Sequence, residues 1–117
     1  VPISRLADCV TAARDEVAKS GLVCMIVGHV GDGNFHVLIT FDPDSAEERQ
    51  RAEVAADRIA HIAIGMGGTC TGQHGIGIHK LDALKAEHGD AVDVMRTLKK
   101  ALDPNNIMNP GKTIPMQ

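Results

Sequence analysis

The 117-residue chain contains no tryptophan, no tyrosine and only two phenylalanines. It therefore has no row of aromatic faces on which nucleic-acid bases stack. It also lacks a positive field. Its 12 Lys and Arg stand against 15 Asp and Glu, for a formal charge of −3, and a nucleic-acid wrap works by displacing counterions with basic groups. Long apolar runs are missing as well. The longest, Leu22 to Val27, has a strand's length and falls far short of the ~20 residues that cross a bilayer. The opening Val1-Pro2-Ile3-Ser4-Arg5 shows no basic segment followed by an apolar stretch, so no signal peptide is visible. Cysteine is scarce: Cys9, Cys24 and Cys70 are odd in number, widely spaced and without a Cys-x-x-C pair. No disulfide framework is expected, and a reducing compartment, the cytoplasm, is the default. The length fits one domain and leaves no room for a complete dinucleotide-binding domain beside a substrate domain.

What is present reads as helix, two strands and three further helices, an α+β pattern. Leu6, Val10, Ala13 and Val17 form a helical stripe that Ser4 or a neighbour can cap and Ser20-Gly21 ends. Leu22 to Val27 reads as a buried strand and Phe35 to Phe41 as a second. The Gly- and Asp-rich connection between them predicts an antiparallel hairpin. Ser45 and Glu48 make a capping-box pattern for a long helix with Ala52, Ala55, Ile59, Ile62 and Met66 inside. Residues 68–77 form a loop that no periodicity explains. A short helix containing Leu81 and Leu84 ends at Gly89. Asp90 can cap the last helix, which would bury Ala91, Val94, Met95, Leu98 and Leu102. A lone hairpin is marginal, so its second face needs a partner or further strands.

Nine of the twelve glycines lie in residues 28–33 and 65–77, and both segments carry histidine. Glycine weakens a fold unless positive φ or close approach is required, so these loops are shaped around something. A turn centred on Asp32-Gly33 would set His29 and His36 opposite one another, with Cβ atoms about 5 Å apart. Two imidazoles so placed can share a metal ion, although a hairpin turn with two polar strand ends is the plainer reading. The second cluster, Gly68 to Gly77, lacks both the P-loop ending and the dinucleotide fingerprint. Its His74, flanked by Gln73 and Gly75, is open to whatever approaches. A neutral imidazole there suits a general base, and the plainer reading is an incidental surface histidine.

Three ordered motifs now stand together: Gly28-His29-Val30-Gly31-Asp32-Gly33-Asn34-Phe35-His36, Gly67 through Gly77 with Gln73-His74 inside, and Leu102-Asp103-Pro104 through Asn109-Pro110-Gly111-Lys112. In this order they resemble the C-terminal domain of FAD-linked oxidases, the family of glycolate oxidase flavin subunits, D-lactate dehydrogenases and D-2-hydroxyglutarate dehydrogenases. The resemblance covers residues 1–117 as one partial domain, with the flavin-binding domain lying elsewhere. It implies part of a ferredoxin-like capping domain. It also implies oxidation of a 2-hydroxy acid to a 2-oxo acid, with hydride passing to FAD and His74 taking the hydroxyl proton. His29 and His36 match the two histidine ligands of a divalent ion, often zinc, in metal-containing members. Such an ion lowers the hydroxyl pKa and offsets the developing alkoxide charge. Asn109 and Lys112 lie in the tail that runs toward the flavin domain.

The chain departs from the family where Gln73 stands in place of the usual Glu, the third metal ligand, and where Leu38 stands in place of Asn. A neutral amide oxygen is a poorer ligand than a carboxylate. The expected partners are a small 2-hydroxy acid and a flavin domain or subunit supplied from outside these residues, with self-association through the open sheet edge. Alone, the chain is expected to be inactive. The competing reading is a catalytically silent module that binds a metal or a partner. A small metal hydrolase would need a third strong ligand and a carboxylate base that the sequence does not offer. Gln73→Glu is expected to raise Zn²⁺ affinity in a calorimetric titration. Equal affinities for the two proteins would count against Gln73 as a ligand position.

Overall fold

The computed structural model describes residues 1–116. It has four α-helices and one two-stranded antiparallel sheet, as the α+β pattern requires. A ferredoxin-like sheet needs more strands than these two, so the described residues do not display that architecture. The chain forms two compact units, Val1–Gly72 and a second from Gln73 onward.

In the first unit a 3-10 turn, Ile3–Arg5, leads into α1 (Leu6–Ser20). Ser4 lies inside that turn and caps nothing, and Arg5 occupies the N-cap position without a side-chain bond. The buried side of α1 is Cys9, Ala13, Glu16 and Val17. The expected stripe is therefore rotated toward Cys9, and Leu6 and Val10 are only half-buried. Gly21 takes a left-handed φ of 72° and donates to the Ala18 carbonyl at 3.1 Å, which ends the helix.

Strands β1 (Val23–His29) and β2 (Asn34–Thr40) pair from Val23↔Thr40 to His29↔Asn34. Alternate residues point to opposite faces. Cys24 and Ile26 of β1, with Phe35, Val37 and Ile39 of β2, are half-buried on the face that α1 and the next helix cover. Val23, Met25, Val27 and Leu38 are 71, 58, 56 and 45% exposed on the other. The run Leu22 to Val27 is thus covered on one side only, which corrects the expectation of a buried strand. Its composition matched a doubly covered strand, and the chain provides one layer of helices.

Helix α2 (Ala46–Gly65) begins as its sequence predicts. Ser45 Oγ accepts from the Glu48 amide at 3.2 Å. The return arm differs from a simple capping box, because Glu48 Oε2 accepts from the Asp42 amide at 2.8 Å and ties down the strand exit. Ala52, Ala55 and Ala63 are the buried positions of α2. These small residues let it approach α1 closely. An ion pair between a buried acid and an exposed cation joins the two helices. Glu16, 7% exposed, accepts from Arg58 Nη1 at 2.7 Å and from Lys19 Nζ at 2.9 Å. Arg51 Nη1 adds a bond to the Ser20 carbonyl at 2.9 Å. The basic face of α2 therefore reaches back to α1, although its spacing marks it as solvated.

In the second unit α3 (Leu81–His88) and α4 (Ala91–Leu102) pack together around Ala83, Leu84 and Val92. Gly89 ends α3 with a φ of 52°, and its carbonyl accepts from the Val92 amide at 3.1 Å. Asp90 adopts helical angles and makes no side-chain cap. The outward face of α4 reverses the expected one. Val92 is 1% exposed, whereas Val94, Leu98 and Leu102 are 62, 58 and 77% exposed.

The Arg58 and Lys19 hydrogen bonds, opposed by burial, hold the Glu16 carboxyl below its usual range. A carboxyl with a lowered folded pKa contributes stability above its unfolded pKa and loses it as pH falls through the folded value. Glu16→Gln is expected to lower the melting temperature by several degrees at pH 7. The gap between the two proteins should close as pH falls below about 4. A gap that is constant from pH 7 to 3 in thermal melts would show that charge plays no part.

Candidate functional site

His29 is the last residue of β1 and exposed, and His36 is the third of β2 and half-buried. Their ring centroids are 5.8 Å apart, with the planes at 75°. They are not direct partners, as a turn centred on Asp32-Gly33 would make them. His29 pairs with Asn34, and His36 with Val27. The chain reverses through a 3-10 turn, Val30–Asp32, closed by Gly33 at a φ of 70°. This shortens the loop and moves its centre one residue earlier. The shift displaces the pairing by two positions, so both histidines stay on one face as diagonal neighbours. Gly33 is required here on a second count. A Cβ at this position would lie 2.1 Å from the Val1 carbonyl oxygen, because the backbone nitrogen of Val1 donates to the Gly33 carbonyl at 2.9 Å.

Asn34 belongs to the same face, opposite His29 and two residues before His36. The sequence reading placed it in the turn. Its signal was the alternation Asn34, His36, Leu38, visible only once the strand is known to begin at residue 34. The loop after α2 comes up against this residue. A Cβ on Gly72 would fall 2.1 Å from Asn34 Oδ1. The preceding Thr71 Oγ1 is buried and makes no hydrogen bond among the described residues. Gly72 thus has a reason to lack a side chain that local conformation does not supply.

Gln73 and His74 open the second unit and are exposed, and Gly75 follows at a φ of 77°. Among the described residues no three His, Cys, Asp or Glu side chains gather as a metal-holding group. Two imidazoles bound at about 2.1 Å to one tetrahedral centre have ring centroids roughly 5 Å apart, and the observed separation is 5.8 Å. All three cysteines are free thiols, and burial pushes the Cys9 thiol up, away from reactivity.

Asn109 and Lys112 are exposed on the segment that follows α4. Asn109 has a φ of 47°, and its carbonyl accepts from the Lys112 amide at 3.2 Å. The approach to this turn is clamped by Asp103, the residue that follows α4. Asp103, 5% exposed, accepts from the Ile107 amide at 3.0 Å and the Met108 amide at 2.9 Å, and also from Lys99 Nζ. Lys99 Nζ bonds the Met108 carbonyl too. The ammonium, foremost, and the two amides hold the Asp103 carboxyl below its ordinary range against the opposing effect of burial. Lys99, in the last turn of α4, is the other half of this clamp.

The architecture defines a class: a small α+β unit that presents a histidine pair on a bare sheet face. Residues 1–113 match the family of FAD linked oxidases, C-terminal domain, and the chain belongs to that family. It is 48% identical over 116 residues to a D-lactate dehydrogenase [cytochrome], mitochondrial, of Arabidopsis thaliana, covering 98% of this chain and 20% of the relative. It is 47% identical over 115 residues to a probable D-lactate dehydrogenase, mitochondrial, of Danio rerio, covering 97% and 23%. With the glycolate oxidase subunit GlcD of Bacillus subtilis the identity is 42% over 113 residues, covering 96% and 24%. The chain thus spans between a fifth and a quarter of the length of these relatives. No helix among the described residues is long and apolar enough to cross a membrane.

Gly72→Ala is expected to displace the Asn34 side chain at a cost of about 1–3 kcal/mol, the range for an overpacked contact. Denaturation midpoints and the NMR signals of the Asn34 side-chain amide would read it. An unchanged amide signal would mean that Gly72 is not held against Asn34 in solution.

Proposed function

We propose that this chain is the substrate-side, C-terminal part of an FAD-dependent dehydrogenase of small 2-hydroxy acids, of the D-lactate or glycolate type. The observation that carries the reading is the face shared by His29, Asn34 and His36. Gly72 backs onto Asn34, and Gln73 and His74 are the next two residues of the chain. The names of the relatives point the same way.

On this reading His29 and His36 hold the carboxylate and hydroxyl end of the substrate, directly or by sharing a divalent ion such as zinc with the weaker amide oxygen of Gln73. A cation held there would lower the pKa of the C2 hydroxyl. A ring nitrogen of His74 accepts the hydroxyl proton as the C2 hydrogen leaves, and the product is the 2-oxo acid. The flavin, when bound, supplies the hydride acceptor. Asn109 and Lys112 offer an amide and an ammonium to it from a preset turn. The Thr71 hydroxyl, buried without a protein partner, is a further donor for a ligand at this end of the hairpin. FAD itself is held mainly by the portion of the relatives that this chain does not span. The free thiols suit a reducing compartment such as the cytoplasm, and several relatives are named as mitochondrial.

The test places this chain in the position of the matching C-terminal fifth of the Arabidopsis relative. The joined protein is expected to carry flavin and to oxidise D-lactate or glycolate. His74→Gln should lower kcat by about 10²–10⁴, the usual contribution of a general base, with flavin content unchanged. A flavin-loaded protein without turnover would favour the silent module, and full activity in His74→Gln would remove that residue from the chemistry.

A further inference from the structure

Thr11, Thr40 and Thr97 are exposed to water, yet each donates from Oγ1 to a backbone carbonyl, at 2.9, 3.1 and 2.9 Å. Thr71 does the reverse. Its Oγ1 is buried and makes no hydrogen bond among the described residues. The residue as a whole is half-buried, so what it shows to solvent is methyl and backbone. A buried hydroxyl without a partner is destabilising, and native proteins hold few such groups. The other orphan among the described residues is Arg51 Nε. Arg51 is compensated through the rest of its guanidinium, with the Glu47 carboxylate 4.0 Å from Nε and Nη1 bonded to the Ser20 carbonyl. Thr71 has a single polar side-chain atom and no such recourse. Valine has the same shape and would carry no such cost. Threonine at this position therefore serves something other than the fold.

Its position says what that is. Gly72 follows it, one step of about 3.8 Å along the chain. A Cβ on Gly72 would lie 2.1 Å from Asn34 Oδ1 and 3.0 Å from Asn34 Nδ2. Asn34 pairs with His29 and stands two residues before His36 on the same face. All of these residues belong to the first compact unit. We infer that Thr71 is a specificity-determining residue whose hydroxyl binds the carboxylate of the 2-hydroxy acid. This deepens the functional reading above and rests on it. Thr71 lies outside helix and strand, where the staggered χ1 rotamers that exchange hydroxyl and methyl are open to it. Rotation about χ1 turns the donor from the interior toward the bound anion. A carboxylate is the fitting partner because it only accepts, and an O–H···O⁻ bond is about twice as strong as a neutral one. The C2 hydroxyl is the poorer candidate, being neutral and already the donor to His74 in the reading above. The free protein holds Thr71 at a loss of stability that substrate binding recovers, an exchange common at functional positions.

The experiment has a stability arm and a binding arm. In the 117-residue chain Thr71→Val is expected to raise the melting temperature by about 3 °C or more. Thr71→Ser, which keeps the hydroxyl, should bring no such rise. The binding arm uses the protein in which this chain replaces the matching fifth of the Arabidopsis relative. There Thr71→Val should weaken pyruvate binding by about 10–100-fold in calorimetric titration. Pyruvate keeps the carboxylate of the 2-oxo product and has no hydride to give. Thr71→Ser should bind pyruvate as the parent does. Methyl pyruvate, whose ester carries no charge, should bind the parent and Thr71→Val alike. In turnover Thr71→Val should raise KM for D-lactate with kcat unchanged, the mark of a contact made equally in ground and transition states. Neither melting nor titration needs turnover, so a joined protein that binds pyruvate but oxidises nothing defeats the dehydrogenase reading and leaves Thr71 in its role. The inference is overturned if Thr71→Val fails to raise the melting temperature of the chain, since the hydroxyl then has an internal partner. It is overturned equally if pyruvate binding is unchanged, or if methyl pyruvate loses as much affinity as pyruvate.

Discussion

The seating of α1 and α2 on one face of a two-stranded hairpin is the constraint from which the rest of the first unit follows. Two strands can bury their apolar alternation on one side only when a single layer of helices is at hand. Cys24, Ile26, Val37 and Ile39 take that side. Parity then sends Val23, Met25, Val27 and Leu38 outward, and His29, Asn34 and His36 with them. The candidate site and the bare apolar face therefore have one origin. A charge pair makes the seating specific: Glu16 is buried where α1 meets α2 and is satisfied by Arg58 and Lys19.

The second unit applies a similar economy with the opposite arrangement. Its buried acid, Asp103, does not join two helices but pins an irregular segment, and it does so by accepting two backbone amides that Pro104 and the following turn leave without helical partners. The polar side of α4 is used up in this task. Its apolar side is thereby left exposed.

The exposed sheet face carries a histidine pair with ring centroids 5.8 Å apart. On the proposed function, the substitution that the resemblance singles out, Gln73 for a carboxylate, would remove one negative charge from the site. With it goes part of the attraction for a divalent ion. The histidine pair is retained at a spacing that one ion or one carboxylate can bridge.

Local signals in the sequence were enough for the element order, the hairpin, the Ser45 cap and the glycine-terminated α1 and α3, each decided within a few residues by periodicity, capping or backbone permissiveness. The family was legible through the resemblance of three ordered motifs. Other features were decided only in three dimensions. The register of the hairpin turned on whether Gly33 closed a four-residue loop. The need for glycine at 72 turned on Asn34, far away in the chain. The roles of Glu16 and Asp103 turned on which cations could reach them. The reversed face of α4 is the clearest case. Its periodicity marked Val94, Leu98 and Leu102 for burial, and the structure leaves them exposed and buries Val92 instead. Burial is a property of the whole assembly, and about four-fifths of the relatives' length lies outside this chain.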